Sequence, residues 1–219
     1  MSGSELQRLV EVMDRLRSPG GCPWDAEQTH ESLVKYLLEE SYEFIDTVDA
    51  QDREGMREEL GDVLLQVYFH SRIAEDHPTD PFSIEDVAKL IADKLIRRHP
   101  HVFEGLVVDD MEEVIENWEA IKAKEKGRTS SLDGIAMAQP ALPLVEKLIY
   151  RAEKYKVELP MADVESSSQQ LQSAPSEETV GQALASIIAL AHQHGIDPES
   201  SLRGHARAMI EKIRQSEAG

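Results

Sequence analysis

Residues 59–73 constrain this chain more than any other stretch. Leu60, Val63, Leu64, Leu65, Val67, Tyr68, Phe69 and Ile73 make the segment apolar nearly all round when wound at about 100° per residue, which reads as a buried helix. Only a narrow line of Glu59, Asp62 and Gln66 is polar, and Phe69 and Ile73 continue that line as apolar. A carboxylate in such surroundings is very costly without a partner. Glu59 and Asp62 therefore need a cation.

A second group of acids lies upstream in the pattern Glu39-Glu40-x-x-Glu43, ending sixteen residues before Glu59. Residues three and four apart share a helix face, so each group presents its acids together. Leu33, Val34, Leu37, Leu38, Phe44, Ile45 and Val48 form one apolar stripe, with the three glutamates roughly opposite. Taken alone, that helix reads as an acidic, solvated outer face. Set beside the apolar helix carrying Glu59 and Asp62, it can complete a shell. Acids grouped this tightly repel one another, and a hard divalent cation such as Mg²⁺ answers that repulsion best.

The rest of the composition narrows the setting. A chain of 219 residues has room for one large or two small domains with a proper core. A formal charge of −19 argues against a general nucleic-acid binder and against diffusional capture of free polyanions. Any phosphate ligand would have to arrive with metal or meet a local basic patch. Cys22 is the single cysteine, so no internal disulfide forms and a reducing, cytoplasmic setting is expected. No run approaches 18 apolar residues, so no membrane span is expected.

Nearly every periodic segment reads helical. The expected helices are roughly 3–17, 29–50, 53–76, 83–98, 110–126, 140–156, 177–194 and 198–215. Ser18 to Asp25, with Pro19, Gly20, Gly21 and Pro23, reads as a loop, and His99-Pro100-His101 as a helix end. Residues 127–139 read as a linker, and Glu165 to Glu178 as a poorly ordered loop or weak helix. A faint repeat joins the two halves, since Glu58-Glu59-Leu60-Gly61-Asp62 through Gln66 resembles Glu178-Thr179-Val180-Gly181-Gln182 through Ser186. If this is a duplication, Thr179 stands for Glu59 and Gln182 for Asp62 and the second copy has lost the chemistry; two unrelated amphipathic helices with chance matches account for the same likeness.

These features together resemble the MazG nucleoside triphosphate pyrophosphohydrolases of the all-α NTP pyrophosphatase superfamily. The matching residues are Gly21-Cys22-Pro23-Trp24-Asp25, the two acid groups, Lys94-x-x-Arg97-Arg98-His99-Pro100-His101-Val102-Phe103, and Trp118-x-x-Ile121-Lys122. The likeness is close over 5–125 and looser over 140–219, where Ala208 and Glu211 stand at the places of Lys94 and Arg97. It implies an all-α helical bundle with a catalytic domain at 1–126, a linker at 127–139 and a degenerate second repeat at 140–219. It further implies Mg²⁺-dependent cleavage of an NTP or dNTP to the monophosphate and pyrophosphate, a homodimer with its active helices in a four-helix arrangement, and removal of unwanted nucleotides. Mn²⁺ is an expected substitute for Mg²⁺.

Residue roles follow from that chemistry. Glu40, Glu43, Glu59 and Asp62 are the expected metal ligands, each pair spaced i, i+3. Glu39, one position outside the pairing, is the candidate to orient or deprotonate the attacking water, or a further ligand. Lys94, Arg97 and Arg98 form a basic group suited to the β- and γ-phosphates, with Lys35 a weaker candidate. Charge favoured by a helix C-terminus accounts for the same three residues without a ligand. Trp24 could stack on a base or pin the following helix. Trp118 reads as core packing, and His99 and His101 as a structural turn. Two rivals stand beside the enzyme. A di-iron carboxylate bundle wants two Glu-x-x-His motifs, and the chain offers one, Glu27-x-x-His30. A non-catalytic, metal-stabilised interaction module needs only the acids.

Overall fold

In a computed structural model the described residues are 4–108, 110–125 and 130–218, with only the backbone described at 112, 116, 119, 120, 123 and 124. Short polar residues start the helices. Ser4 accepts from the Gln7 amide, Thr29 and Ser32 form a reciprocal box, Asp52 accepts from the Glu54 and Gly55 amides, and Ser83 pairs with Asp86 in a second box. The resulting helices are α1 (Glu5–Arg17), α2 (Pro23–Glu27), α3 (His30–Asp49), α4 (Arg53–Glu75), α5 (Ile84–Arg98), α6 (Pro100–Phe103), α7 (Met111–Glu125), α8 (Ala141–Lys154), α9 (Val164–Ser173), α10 (Glu177–Gln193) and α11 (Pro198–Glu217). No strand occurs among the described residues, so the fold is all-α.

The chain divides into two compact units, Met1–Ile121 and Lys122–Gly219, the division falling inside α7. In the first unit, α3 and α4 make the most extensive pair, with α1 and α5 packed on α4. Met13 of α1, Leu33 of α3, and Tyr68 and Phe69 of α4 form its buried centre, edged by Leu9, Leu16, Tyr36 and Ile84. Leu33 is 1% exposed, and truncating such a residue to alanine costs about 2–5 kcal/mol. Arg72 ties α1 to α4, its guanidinium 3.0 Å from Asp14 and 2.8 Å from Asp76. In the second unit α10 is central, with α8, α9 and α11 against it. Ile149, Ala183 and Ile188 are buried there, and the Ser167 and Ser186 hydroxyls meet at 2.6 Å between α9 and α10.

Several expectations need correction. The 18–25 loop yields a helical turn at Pro23, because proline suits the first helical position. Gly21 makes the preceding turn possible, since a Cβ there would run into the carbonyl oxygens of Arg15 and Leu16. Pro100 likewise opens the short α6 directly after α5 ends. At 165–178 the helical alternative is the one observed, α9, capped by Asp163 accepting from the Ser166 amide. The α4 segment is also less enclosed than its composition suggests: Leu60 is 52% and Val67 37% exposed. One chain supplies too few helices to cover every face of α4. Residues 3, 126 and 127–129 of the expected spans lie outside those described.

Candidate active site

The turn Ala50–Asp52 reverses the chain, so the C-terminal half of α3 lies against the N-terminal half of α4. This pairing brings the two acid groups together. Glu40, Glu43 and Glu59 each offer a carboxylate oxygen, all within 4.8 Å of one another. Asp62 falls outside that convergence but acts on it. The Glu40 carboxyl is pushed above its usual range by burial first, then by the charges of Asp62, Glu43, Glu39 and Glu59. Glu59 is pushed up likewise, by burial and then by Glu43, Asp62 and Glu58, with a hydrogen bond shared with Glu43 adding to the shift. Its Oε2 atom is shielded from solvent and has no hydrogen-bond partner. Glu39 is exposed at the margin of the group.

Oxygen donors held this close, with one buried and unpartnered, fit a hard divalent cation. Without one, each carboxylate raises the cost of ionising its neighbours.

An aromatic group sits one helical turn toward the start of α3. Trp24 of α2, 50% exposed, meets Tyr36 edge-on at 5.8 Å and Phe69 of α4 at 6.4 Å. Tyr36 precedes Glu40 by four residues, so aromatic and acid share a face of α3. Arg17 fastens the α2 turn: its guanidinium donates to the Asp25 and Gln28 carbonyls and lies 5.5 Å over the Phe69 ring. Gln28 in turn donates from its side chain to the Trp24 carbonyl at 2.9 Å. Lys35 is exposed and places its ammonium 4.6 Å over the Tyr36 ring.

The three basic residues of α5 do not share one environment. Lys94 is half-buried and Arg97 exposed, whereas Arg98 is 6% exposed with its guanidinium 5.7 Å over the Trp118 ring. His99 turns its Nδ1 to the Leu95 carbonyl at 2.7 Å, a local contact at the helix end. His30 pairs with His70 across α3 and α4, Nδ1 to Nδ1 at 2.8 Å with parallel rings. One proton serves that contact. Burial, and then the neighbouring His30, hold the His70 imidazole below its usual pKa. Sequence reasoning missed this pair, forty residues apart; it offered Trp24 as a pin for the following helix without naming Tyr36 and Phe69 as its partners.

A family model for the MazG nucleotide pyrophosphohydrolase domain matches residues 28–103. The chain is also 40% identical over 99% of its length to the nucleoside triphosphate pyrophosphohydrolase/pyrophosphatase MazG of Thermotoga maritima, of which it covers 87%. The chain belongs to the MazG family. An Escherichia coli nucleoside triphosphate pyrophosphohydrolase is 34% identical over 98% of this chain and 88% of its own length. One from Mycobacterium tuberculosis is 49% identical over 69% of this chain and 46% of its own. As a MazG-family member the chain is an enzyme, a nucleotide pyrophosphohydrolase. The family match spans α3, α4 and α5 and so includes all five acids and Lys94, Arg97 and Arg98, while Trp24 and Trp118 lie outside it. Among the described residues no helix is long and apolar enough to cross a membrane.

Proposed function

We propose that this chain hydrolyses nucleoside triphosphates, ribo or deoxy, at the α–β linkage, releasing the monophosphate and pyrophosphate in a Mg²⁺-dependent reaction. The observation that carries this reading is the convergence of Glu40, Glu43 and Glu59, with one Glu59 oxygen buried and unpartnered. Glu40, Glu43, Glu59 and Asp62 would hold the cation. Mg²⁺, or Mn²⁺ in its place, supplies the positive charge that offsets the triphosphate and polarises its phosphoryl oxygens. Glu39 orients the attacking water and accepts its proton, standing at the edge of the cluster where water reaches it. Lys94 and Arg97 take the β- and γ-phosphates, and Lys35 is a lesser candidate for the same task. Arg98, stacked on Trp118, steadies the end of α5 that carries them. Trp24 offers its exposed ring to the base, a stacking contact worth about 1–3 kcal/mol.

The partner is a second copy of this chain. Leu60 and Val67 of α4 and Val34, Leu38 and Tyr42 of α3 are exposed, and a homodimer that paired these helices would cover them in a four-helix arrangement. Residues 1–126 form the catalytic domain, 127–139 a linker and 140–219 a degenerate second repeat. The cellular role is removal of unwanted nucleotides in the cytoplasm.

Pyrophosphate release from a panel of NTPs and dNTPs with Mg²⁺ tests the reading. Release that needs the metal and vanishes in Glu59→Gln supports it. No release across the panel leaves the metal-stabilised interaction module standing, and full turnover by Glu59→Gln removes the site assignment.

A further inference from the structure

Of the α4 side chains that carry a shielded polar atom without a hydrogen-bond partner, Glu59, Gln66 and His70, Gln66 is the most deeply buried. It is 5% exposed, and its side-chain Oε1 is shielded from solvent with no hydrogen-bond partner among the described residues. Ser71, buried on the same helix, satisfies its hydroxyl on the Val67 carbonyl at 2.8 Å. The second unit offers a sharper contrast. Ser186 stands at the place matching Gln66 in the internal repeat and is equally buried, yet it meets Ser167 at 2.6 Å and donates to the Ala183 carbonyl at 2.9 Å. Buried polar groups are closed internally as a rule. At this position the second unit follows the rule and the first leaves an amide open.

Its place in the helix says what the amide faces. Gln66 follows Asp62 by four residues and precedes Phe69 by three, so the three lie along one side of α4. One turn back are the acids that would hold the metal, beside which the phosphates would lie; one turn on is Phe69, whose ring meets Trp24. A molecule spanning from the acid cluster to the Trp24 ring passes Gln66. A side-chain amide carries a donor and an acceptor side by side, which matches the paired groups on the edge of a nucleobase.

We infer that Gln66 is a specificity-determining residue, its amide reading the hydrogen-bonding edge of the base that stacks on Trp24. This rests on the nucleotide reading of the site. A buried amide built to meet polar groups penalises a base that leaves it unpaired, so the gain is in discrimination between bases.

The test compares wild type with Gln66→Met, which keeps length and removes both polar groups, on four NTPs and four dNTPs with kcat and KM resolved. Expected is a loss of about 10- to 100-fold in kcat/KM on the preferred base, carried mainly by KM, with the poorest base changed less than about threefold. The ratio of ribo- to deoxynucleotide should not move. Equal losses on every base would overturn the inference, as would a changed sugar ratio or a change in oligomer size with selectivity intact. Should Gln66→Met fail to fold, Gln66→Glu keeps the shape and loses the donor, and the same redistribution is expected. Should wild type turn over none of the eight nucleotides, the proposed activity fails separately. Equilibrium dialysis of the same eight with Mg²⁺ then still reads base preference, and equal binding of all four bases overturns the role of Gln66.

Discussion

The two units each set a central helix between three others, but among the described residues only the first gathers three carboxylates within reach of one another where two helices meet. In the first, α3 and α4 span 20 and 23 residues, and Glu40, Glu43, Glu59 and Asp62 lie in the C-terminal half of α3 and the N-terminal half of α4. In the second, α9 and α10 span 10 and 17. Glu59 lies in the second turn of α4, whereas its counterpart Thr179 falls in the first turn of α10. There Thr179 serves the helix start, accepting from the Ser176 amide and donating to the Ala174 carbonyl. Gln182, at the place of Asp62, donates to Glu178 one turn back. In the shorter pair, Thr179 and Gln182 make local contacts within the start of α10.

The largest expected effect follows directly. Glu40→Ala or Asp62→Asn should lower pyrophosphate release by on the order of 10³ or more, as loss of a metal ligand forfeits several kcal/mol of charge stabilisation. Thr179→Ala and Gln182→Ala should leave turnover within about twofold, with Thr179→Ala costing about 1 kcal/mol of stability through its lost hydrogen bonds. Loss of activity in that second pair would erase the contrast between the units.

Stability offers the next test. Saturating Mg²⁺ at about 100 times its Kd should stabilise the wild type by about 2.7 kcal/mol, or roughly 5–10 °C in melting temperature. Glu59→Gln should show little of that gain. An unchanged wild-type melting temperature would count against the enclosed cation.

A pH series refines the same point. The carboxyls of Glu40 and Glu59 have pKa values raised above their ordinary 4.5 in the folded chain, so the folded state holds protons that the unfolded state has released. Stability of the metal-free protein should therefore fall as pH rises from about 4.5 through those raised values. The fall should be smaller in Glu59→Gln and largely absent with Mg²⁺. Parallel profiles for wild type and variant, both metal-free, would contradict it. His70, whose pKa burial and then His30 lower, works in the opposite direction below its ordinary 6.5, which is why the comparison is between variants.

The smallest effect concerns the aromatic end. If Trp24 stacks on the base as proposed, away from the reacting atoms, Trp24→Ala should raise KM about five- to twentyfold with kcat nearly kept. A loss confined to kcat would place Trp24 in a different role.

Much of this was legible in the chain because helices announce themselves locally. Apolar spacing marks their starts within a residue or two, and the structure adds the caps at Thr29, Asp52, Ser83, Ser176 and Asp197 that fix them. The short α2 and α6 carry too few turns for periodicity, and α9 reads as a polar run until Asp163 is seen to cap it. The acids were legible as two clusters, since spacing along a helix fixes a face. What spacing could not give was contact across the fold: Trp24 against Tyr36 and Phe69, His30 against His70, and Arg98 against Trp118. Nor did the apolar girth of α4 reveal that Leu60 and Val67 would face outward, because composition does not count how many helices surround it.

The central claim is that carboxylates of α3 and α4 jointly hold a divalent cation. Electron paramagnetic resonance of Mn²⁺ titrated into the full chain measures this without relying on turnover. Wild type should bind Mn²⁺ tightly, Mg²⁺ should displace it, and Glu40→Ala and Glu59→Gln should each weaken binding at least tenfold while Gln182→Ala does not. Binding unaffected by either glutamate substitution, or lost in Gln182→Ala, would contradict the account.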